Sequence, residues 1–190
     1  MSLIDALKSI PDRRTKPRYP QWVILTLVIM GTMSKHYGYR ALSRFVSRHQ
    51  AALLEIMDLP HERLPCRSTL RNVMIHLDYK ALTVAFNGWA ASTGAMPQSE
   101  TLQHLATDGK AIKASLSDYS QSYQDFVSIV SMVNVATGQV VALAPRRNKQ
   151  SSEVLVVQQL LEQLQLTGVC IRLDALHSQK NSKNNHWSAQ

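Results

Sequence analysis

Through roughly the first ninety positions apolar residues recur at helical spacing, and beyond position 100 they gather into short, valine-rich runs. A helical half therefore precedes a strand-bearing half. Leu3, Ala6, Leu7 and Ile10 predict a short amphipathic helix over Ser2–Ile10, closed by Pro11. The longest apolar run, Trp22–Met33, contains Thr26 and is too short to span a bilayer, so it predicts a buried helix. From about Tyr39 to Met57, Leu42, Phe45, Val46, Leu53, Leu54 and Met57 form the apolar face of a second helix. Arg40, Arg44 and Arg48 repeat every four residues on another face of it. Leu59–Cys66 holds two prolines and reads as a loop. Ser68 is a candidate cap for a helix carrying Leu70, Val73, Met74 and Leu77. A further helix from Tyr79 carries Leu82, Ala85, Phe86 and Trp89, with Leu77-Asp78-Tyr79 as the junction. A helix-turn-helix DNA reader fits this pair, and so does any helical bundle.

Ser92–Glu100, with Thr93, Gly94, Pro97 and Gln98, reads as a linker. Leu102, Leu105 and Ala106 predict a strand that ends at the turn pair Asp108-Gly109. Phe126–Val135 and Gln139–Ala144 flank Thr137-Gly138 and predict a hairpin, which Pro145–Lys149 ends with Arg146, Arg147 and Lys149. Ser151 or Ser152 then caps a helix to about Leu166, with Glu153 in its first turn and Val154, Val157, Leu161 and Leu164 facing inward. Gly168 stops it, and Val169–Leu173 is a short apolar strand interrupted by Arg172 and ending in Asp174. The fold class is therefore α+β: a helical domain over 1–95, then strand, strand, strand, helix, strand over 101–180. The tail 181–190 has no apolar periodicity and is expected to be disordered.

Charge adds a direction to this picture. The net charge is +8, and Met1–Lys80 hold 13 Lys and Arg against 6 acids while the remainder holds 8 against 7. A one-sided positive excess suggests a polyanionic partner, nucleic acid before membrane, because no Lys-rich amphipathic helix with an aromatic face is present. An isoelectric point near 9.7 is also compatible with no partner at all. The segment PDRRTKPRYPQ, with Arg13, Arg14, Lys16 and Arg18, is expected to be extended and solvated, either a basic arm or an ordinary charged linker. The Arg40, Arg44 and Arg48 stripe can follow a phosphate backbone or serve as a solvated face. Cys66 and Cys170 are far apart and share no metal-ligand spacing with a histidine, so neither a disulfide framework nor zinc is indicated. A reducing cytoplasm fits. Met1–Lys16 carries Asp5 and Asp12 and no long apolar core, which argues against a signal peptide.

The candidate chemistry lies in LQHLATDGKAIK, Leu102–Lys113. A carboxylate at a strand end has a fixed Cβ and open oxygens, a good metal-ligand position. Asp-Gly is equally an ordinary turn pair. With Asp174 ending the last strand, two carboxylates on neighbouring strand ends could share divalent ions about 4 Å apart, activating a water or sugar hydroxyl against a phosphodiester. They could also be independent turn residues.

The PDRR…RYP segment, Ser68-Thr69-Leu70-Arg71, ATDGKAIKAS, the NKQSSEV helix start and LDALHSQK follow one another between about Ile10 and Lys180. Together they resemble bacterial insertion-sequence transposases of the DDE type, specifically the Rhs-linked H-repeat-associated group. The resemblance implies a helical DNA-binding module and a ribonuclease-H-like catalytic core acting on double-stranded DNA at the ends of a mobile element. Asp108 would match the first acidic residue and Asp174 the second, with Lys110 near the scissile phosphate and His177 and Gln179 on the loop after Asp174. Mg²⁺ or Mn²⁺ is the implied cofactor, and the implied chemistry is strand cleavage by metal-bound water, then attack of the freed 3′-hydroxyl on target DNA. Arg13, Arg14, Lys16, Arg18, Arg40, Arg44, Arg48, Arg67 and Arg71 are the expected DNA-binding residues.

The family's third acid lies on a helix beyond a further strand, which this sequence does not reach, so a truncated copy with an incomplete core and impaired catalysis is expected. Glu153 is the nearby acid that could complete a metal set with Asp108 and Asp174, or it is simply a helix-dipole residue. Half a sheet exposes an edge, so marginal stability or a homo-oligomer is expected. The alternative to a transposase is a non-catalytic DNA-binding remnant that competes with or regulates a full-length enzyme. A plain helix-turn-helix regulator would not need the second half.

Overall fold

The computed structural model describes residues 1–60, 62–94, 103–112, 127–147, 149–164 and 169–173. Leu102, Lys113, Gly168, Asp174, His177, Gln179, the Pro97 part of the linker and the tail therefore lie outside the described residues. The chain divides into two compact units, Met1–Ala85 and Phe86–Gln190. Among the described residues no helix is long and apolar enough to cross a membrane.

In the first unit, α1 (Leu3–Lys8) begins with a capping box: the Ser2 hydroxyl accepts the Asp5 N–H at 3.1 Å while Asp5 Oδ2 accepts the Ser2 N–H at 3.2 Å. α2 (Gln21–Met33) is apolar on all sides, and Val23, Ile24 and Leu27 are completely buried. Its N-cap is Pro20, which has no side-chain acceptor, and the missing cap comes from afar. Asp12 Oδ2 accepts the Gln21 N–H at 3.1 Å.

Gly38, at φ +81°, turns the chain into α3 (Tyr39–Arg48), which is followed by α4 (Gln50–Ile56). The single helix expected over Tyr39–Met57 is thus two, bent at His49, whose φ of −104° and ψ of 16° leave the helical range. An unbroken helix of that length would run about 28 Å. The bend instead returns Leu53 to the cluster that holds Phe45 and Val46, and the His49 ring packs 5.0 Å from Phe45.

α5 (Arg67–Ile75) starts at Cys66, so Ser68 lies in its first turn and is not its cap. Asp78 Oδ1 accepts the N–H groups of Lys80 and Ala81, each at 3.1 Å, and so starts α6 (Tyr79–Ser92). The core joins α2, α3, α4 and α5 through Ile24, Leu27, Leu42, Phe45, Leu53, Leu70 and Val73. The α2–α3 approach is close at Gly31, where an added Cβ would stand 2.6 Å from Leu42 Cδ2.

The second unit is a sheet with one helix: β1 (Gln103–Ala111), β2 (Val127–Asn134), β3 (Val140–Arg147), α7 (Glu153–Leu164) and β4 (Val169–Arg172). The strand order is β3-β2-β1-β4, with β1, β2 and β3 antiparallel and β4 parallel to β1. The class is α+β, in the expected strand-strand-strand-helix-strand order. Burial alternates along β2, with Ser128, Val130, Met132 and Asn134 inward. Together with Leu105, Val141 and Ala142 this face meets Val156, Val157, Leu160 and Leu161 of α7. In the hairpin turn the Asn134 Oδ1 accepts the Ala136 and Thr137 N–H groups, and Gly138 takes φ +68°.

Two boundaries differ from expectation. β1 does not end at Asp108-Gly109 but continues to Ala111, because β2 offers ladder partners as far as the Ala111–Ser128 pair. β3 likewise continues through Pro145 to Arg147, which is tolerated because β3 is an edge strand. That edge is partly covered: the Asn87 amide donates to the Leu143 carbonyl and accepts the Leu143 N–H, both at 2.9 Å. Ser152 caps α7 as anticipated, its hydroxyl accepting the Leu155 N–H at 3.2 Å.

Candidate functional site

Amphipathic spacing sets the basic face of the first unit. Leu42, Phe45 and Val46 bury one side of α3, which leaves Arg40, Arg44 and Arg48 exposed on successive turns of the other. Neighbours at this spacing are about 5–6 Å apart, and among the described residues none of the three arginines forms an ion pair. Arg67 and Arg71 repeat the arrangement on α5, one turn apart and exposed beside buried Leu70.

The Pro11–Pro20 segment is pinned, not the free extended arm expected. Arg14 donates from Nε to Asp12 Oδ1 at 2.8 Å and from Nη2 to Asp12 Oδ2 at 2.7 Å, and Nη2 also reaches the Tyr19 carbonyl at 2.9 Å. The hydrogen bond from Arg14 is the main cause that holds the Asp12 carboxyl below its ordinary range. Arg13 pairs with Asp78 at 2.9 Å. Arg18 lies 5.6 Å from the centre of the Tyr19 ring, and the Tyr19 hydroxyl donates to the Arg63 carbonyl at 2.7 Å. Lys16 is exposed, at φ +46°. Of the four arm cations, Arg14 is thus a structural tie, while Lys16 and Arg18 present exposed charge.

In the second unit Asp108 is an exposed residue within β1, and its backbone carbonyl accepts the Ser131 hydroxyl at 3.3 Å. The β1–β4 pairing reaches only as far as Ala106 and Arg172. α7 delivers Glu153 to the same point from the other side. A Cβ built on Gly109 would lie 2.5 Å from Glu153 Oε1 and 2.6 Å from Oε2, so the carboxylate occupies the space that glycine leaves. Strand alternation puts Thr107 and Gly109 toward α7, with Asp108 and Lys110 on the exposed face. The Thr107 hydroxyl is buried with no hydrogen-bond partner among the described residues.

Asp108 and Glu153 are hard oxygen donors of the kind Mg²⁺ and Mn²⁺ prefer. Glu153 meets β1 at Gly109 from the α7 side, whereas Asp108 and, two residues further, Lys110 stand on the opposite, exposed face. Among the described residues no group of three or more His, Cys, Asp or Glu side chains converges on a metal position. The donor types fit a divalent ion, and the expected third partner, Asp174, is outside the described residues.

Arg63 and Cys66 drew no functional expectation from the sequence beyond a proline-containing loop. The Cys66 thiol lies 3.1 Å from the Ser68 hydroxyl and 3.4 Å from that of Thr69, and these two hydroxyls, Ser68 first, lower it to about 6. The available signal was a cysteine directly before a helix whose first turn holds two hydroxyl residues.

Residues 4–90 match the model of the family described as DDE_Tnp_1-associated, which relates the chain to a transposase-associated family. A protein of Xanthobacter autotrophicus, named as an uncharacterized protein in the dhlA 3′ region, is 27% identical over 174 residues, 90% of this chain. The chain spans 57% of the length of that relative. No solved structure matches the chain.

Proposed function

We propose that this chain is a DNA transposase chain of an insertion sequence, of the Rhs-linked H-repeat-associated kind, in which the first unit grips double-stranded DNA and the second carries the carboxylates of strand cleavage. The observation that carries the reading is the row of exposed arginines, Arg40, Arg44 and Arg48, which form no ion pair among the described residues, inside the segment that matches the transposase-associated family. Guanidinium groups at that pitch suit successive phosphates, and Arg67 and Arg71 add a second short row.

For catalysis, Asp108 and Asp174 are proposed as the metal-holding carboxylates, while Glu153 reaches β1 at Gly109 on the opposite, α7-facing side, so its part in the site is tested separately. Ala106 and Arg172 are register partners, and Asp174 follows Arg172 by two residues as Asp108 follows Ala106. A divalent ion held there would supply the acidity that turns water into a nucleophile at neutral pH and would stabilise the leaving oxygen. Asp108 would hold that ion from the rigid strand, and Lys110, exposed on the same face, offers a cation to the phosphate.

The test is binding of the full chain to an element-end duplex across a salt series. With about six phosphate contacts, affinity is expected to fall about a thousandfold between low and physiological salt, and a flat response would remove the phosphate grip. Mg²⁺- or Mn²⁺-dependent nicking, compared with Asp108→Ala and Asp174→Ala, tests the second unit. Equal nicking in all three would take both aspartates out of the mechanism. Tight binding with no nicking in the parent chain would favour the non-catalytic DNA-binding remnant.

A further inference from the structure

The face of the sheet turned away from α7 gathers further residues around Asp108. Val169 and Ile171 of β4 pack into the cluster on the α7 side, so Cys170 and Arg172 stand on the opposite face. The same alternation puts His104, Ala106, Asp108 and Lys110 of β1 there, with Val133 and then Val135 at the end of β2. A cleft of about 360 Å³ is lined by His104, Val135, Thr137 and Arg172 among others, so it opens on the Asp108 side of the sheet. We infer that this cleft seats the nucleotide next to the phosphate engaged at Asp108, with Arg172 on that nucleotide's phosphate and the His104 ring against its base. This rests on the cleaving role proposed for the second unit and gives that unit substrate contacts of its own.

Register fixes the placement. Arg172 is the β4 partner of Ala106, one strand over from β1 and two residues short of Asp108, so about 7 Å separates their levels along the strand. Its side chain lines the cleft together with His104, which lies on the far side of Ala106 from Asp108. The guanidinium is therefore placed for a neighbouring phosphate of the same strand and not for the one that Asp108 meets. Ala106, between the two levels, carries only a methyl, so no bulky side chain of β1 divides the cleft from Asp108. Among the described residues Arg172 makes no ion pair, and Asp108 is the only acid on this face of the sheet. The parts suit a nucleotide: a guanidinium for phosphate, and a ring with the exposed Val135 side chain for the flat of a base. The turn that walls the cleft is preformed, since Asn134 Oδ1 accepts the Ala136 and Thr137 N–H groups while the Asn134 amide donates to Gln103 at 3.0 Å. Asn134 is thereby committed to the protein, and the base is held by its face, which every base offers.

The experiment measures, by fluorescence anisotropy, the affinity of the full chain for element-end duplexes in which one phosphate at a time near the cleaved end is replaced by a neutral methylphosphonate. In the parent chain the replacement one step from the scissile phosphate is expected to weaken binding severalfold. Arg172→Ala is expected to bind the unmodified duplex severalfold more weakly and to be indifferent to that replacement, whereas Arg172→Lys keeps the parent's sensitivity. A merely structural role would weaken binding to every duplex alike. Removing the base of the same nucleotide should weaken the parent and leave His104→Ala unaffected, and exchanging that base for another should change neither.

A parent sensitive to replacements near the cleaved end, with Arg172→Ala equally sensitive at each, overturns the cleft assignment alone. So does coupling of Arg172 to the scissile phosphate itself. Affinity that follows the identity of the base overturns the face-on grip. A parent that binds duplex but ignores every replacement near the cleaved end overturns the role proposed for the second unit, and a parent that binds no duplex overturns the DNA-binding reading altogether. His104 and Arg172 are exposed, and thermal melts matching the parent show that the variants keep their fold.

Discussion

At the scale of single residues, Asp12 joins tasks that its local sequence does not announce. It binds Arg14 through both carboxylate oxygens and caps α2 from nine residues away, because Pro20 cannot. Asp12→Ala is expected to cost about 1 kcal/mol, the usual cost of a lost N-cap, read as a lower urea midpoint. Since Arg14 lowers the Asp12 pKa on folding, the associated stability is fully present above the unfolded value near 4 and is lost as pH falls through the lower folded value. The stability gap between the parent and Asp12→Asn should therefore narrow on acidification below about pH 4. In the sequence Asp12 reads only as one charge in a basic segment, because local capping rules direct attention to Pro20. Cys66 was equally hidden. Its alkylation rate should rise with a midpoint near pH 6, and Ser68→Ala should move that midpoint upward, toward the ordinary thiol range, by removing the largest cause of the shift. An unchanged midpoint would show that Ser68 does not hold the thiolate.

At the scale of elements, helix and strand identities were legible because apolar periodicity records which face is buried, as on α3 and β2. Their ends were not, because partners distant in sequence decide them. His49 bends because Leu53 must rejoin the cluster of Phe45, and Asp108-Gly109 stays extended because β2 pairs beyond it. The same contact makes Gly109 a probe of the proposed site. An added methyl would collide with the far end of the flexible Glu153 side chain, which can move aside, so Gly109→Ala should fold with a Tm close to the parent. It should also lower metal-dependent nicking if the Glu153 carboxylate serves there. Nicking unchanged in Gly109→Ala and in Glu153→Gln would confine Glu153 to its helix-dipole role. The β3 edge offers a purely structural comparison. Asn87→Leu leaves the Leu143 N–H and carbonyl without their amide partner and is expected to cost about 1–3 kcal/mol in a urea titration.

At the scale of the whole molecule, the charge asymmetry and the carboxylates fall in different units: 13 cations against 6 acids in Met1–Lys80, with Asp108 and Glu153 beyond. Grip and chemistry should then be separable by substitution. Replacing Arg40, Arg44 and Arg48 together with alanine removes three exposed charges without touching Leu42, Phe45 or Val46. Each lost phosphate contact lowers the salt slope by about 0.9, so the triple variant should lose up to about 2.7 in slope. The fold should survive, since exposed charges of this kind contribute little to stability. Asp108→Ala should show the opposite pattern, with duplex affinity and salt slope kept and metal-dependent nicking lost. Both measurements are made on the full chain with one duplex, so the two variants control for each other. If Asp108→Ala weakened binding as much as the arginine triple variant, a clean division of labour between the units would be wrong. A triple variant with the parent's salt slope would place the phosphate grip elsewhere, with Arg67 and Arg71 on α5 as the next residues to alter.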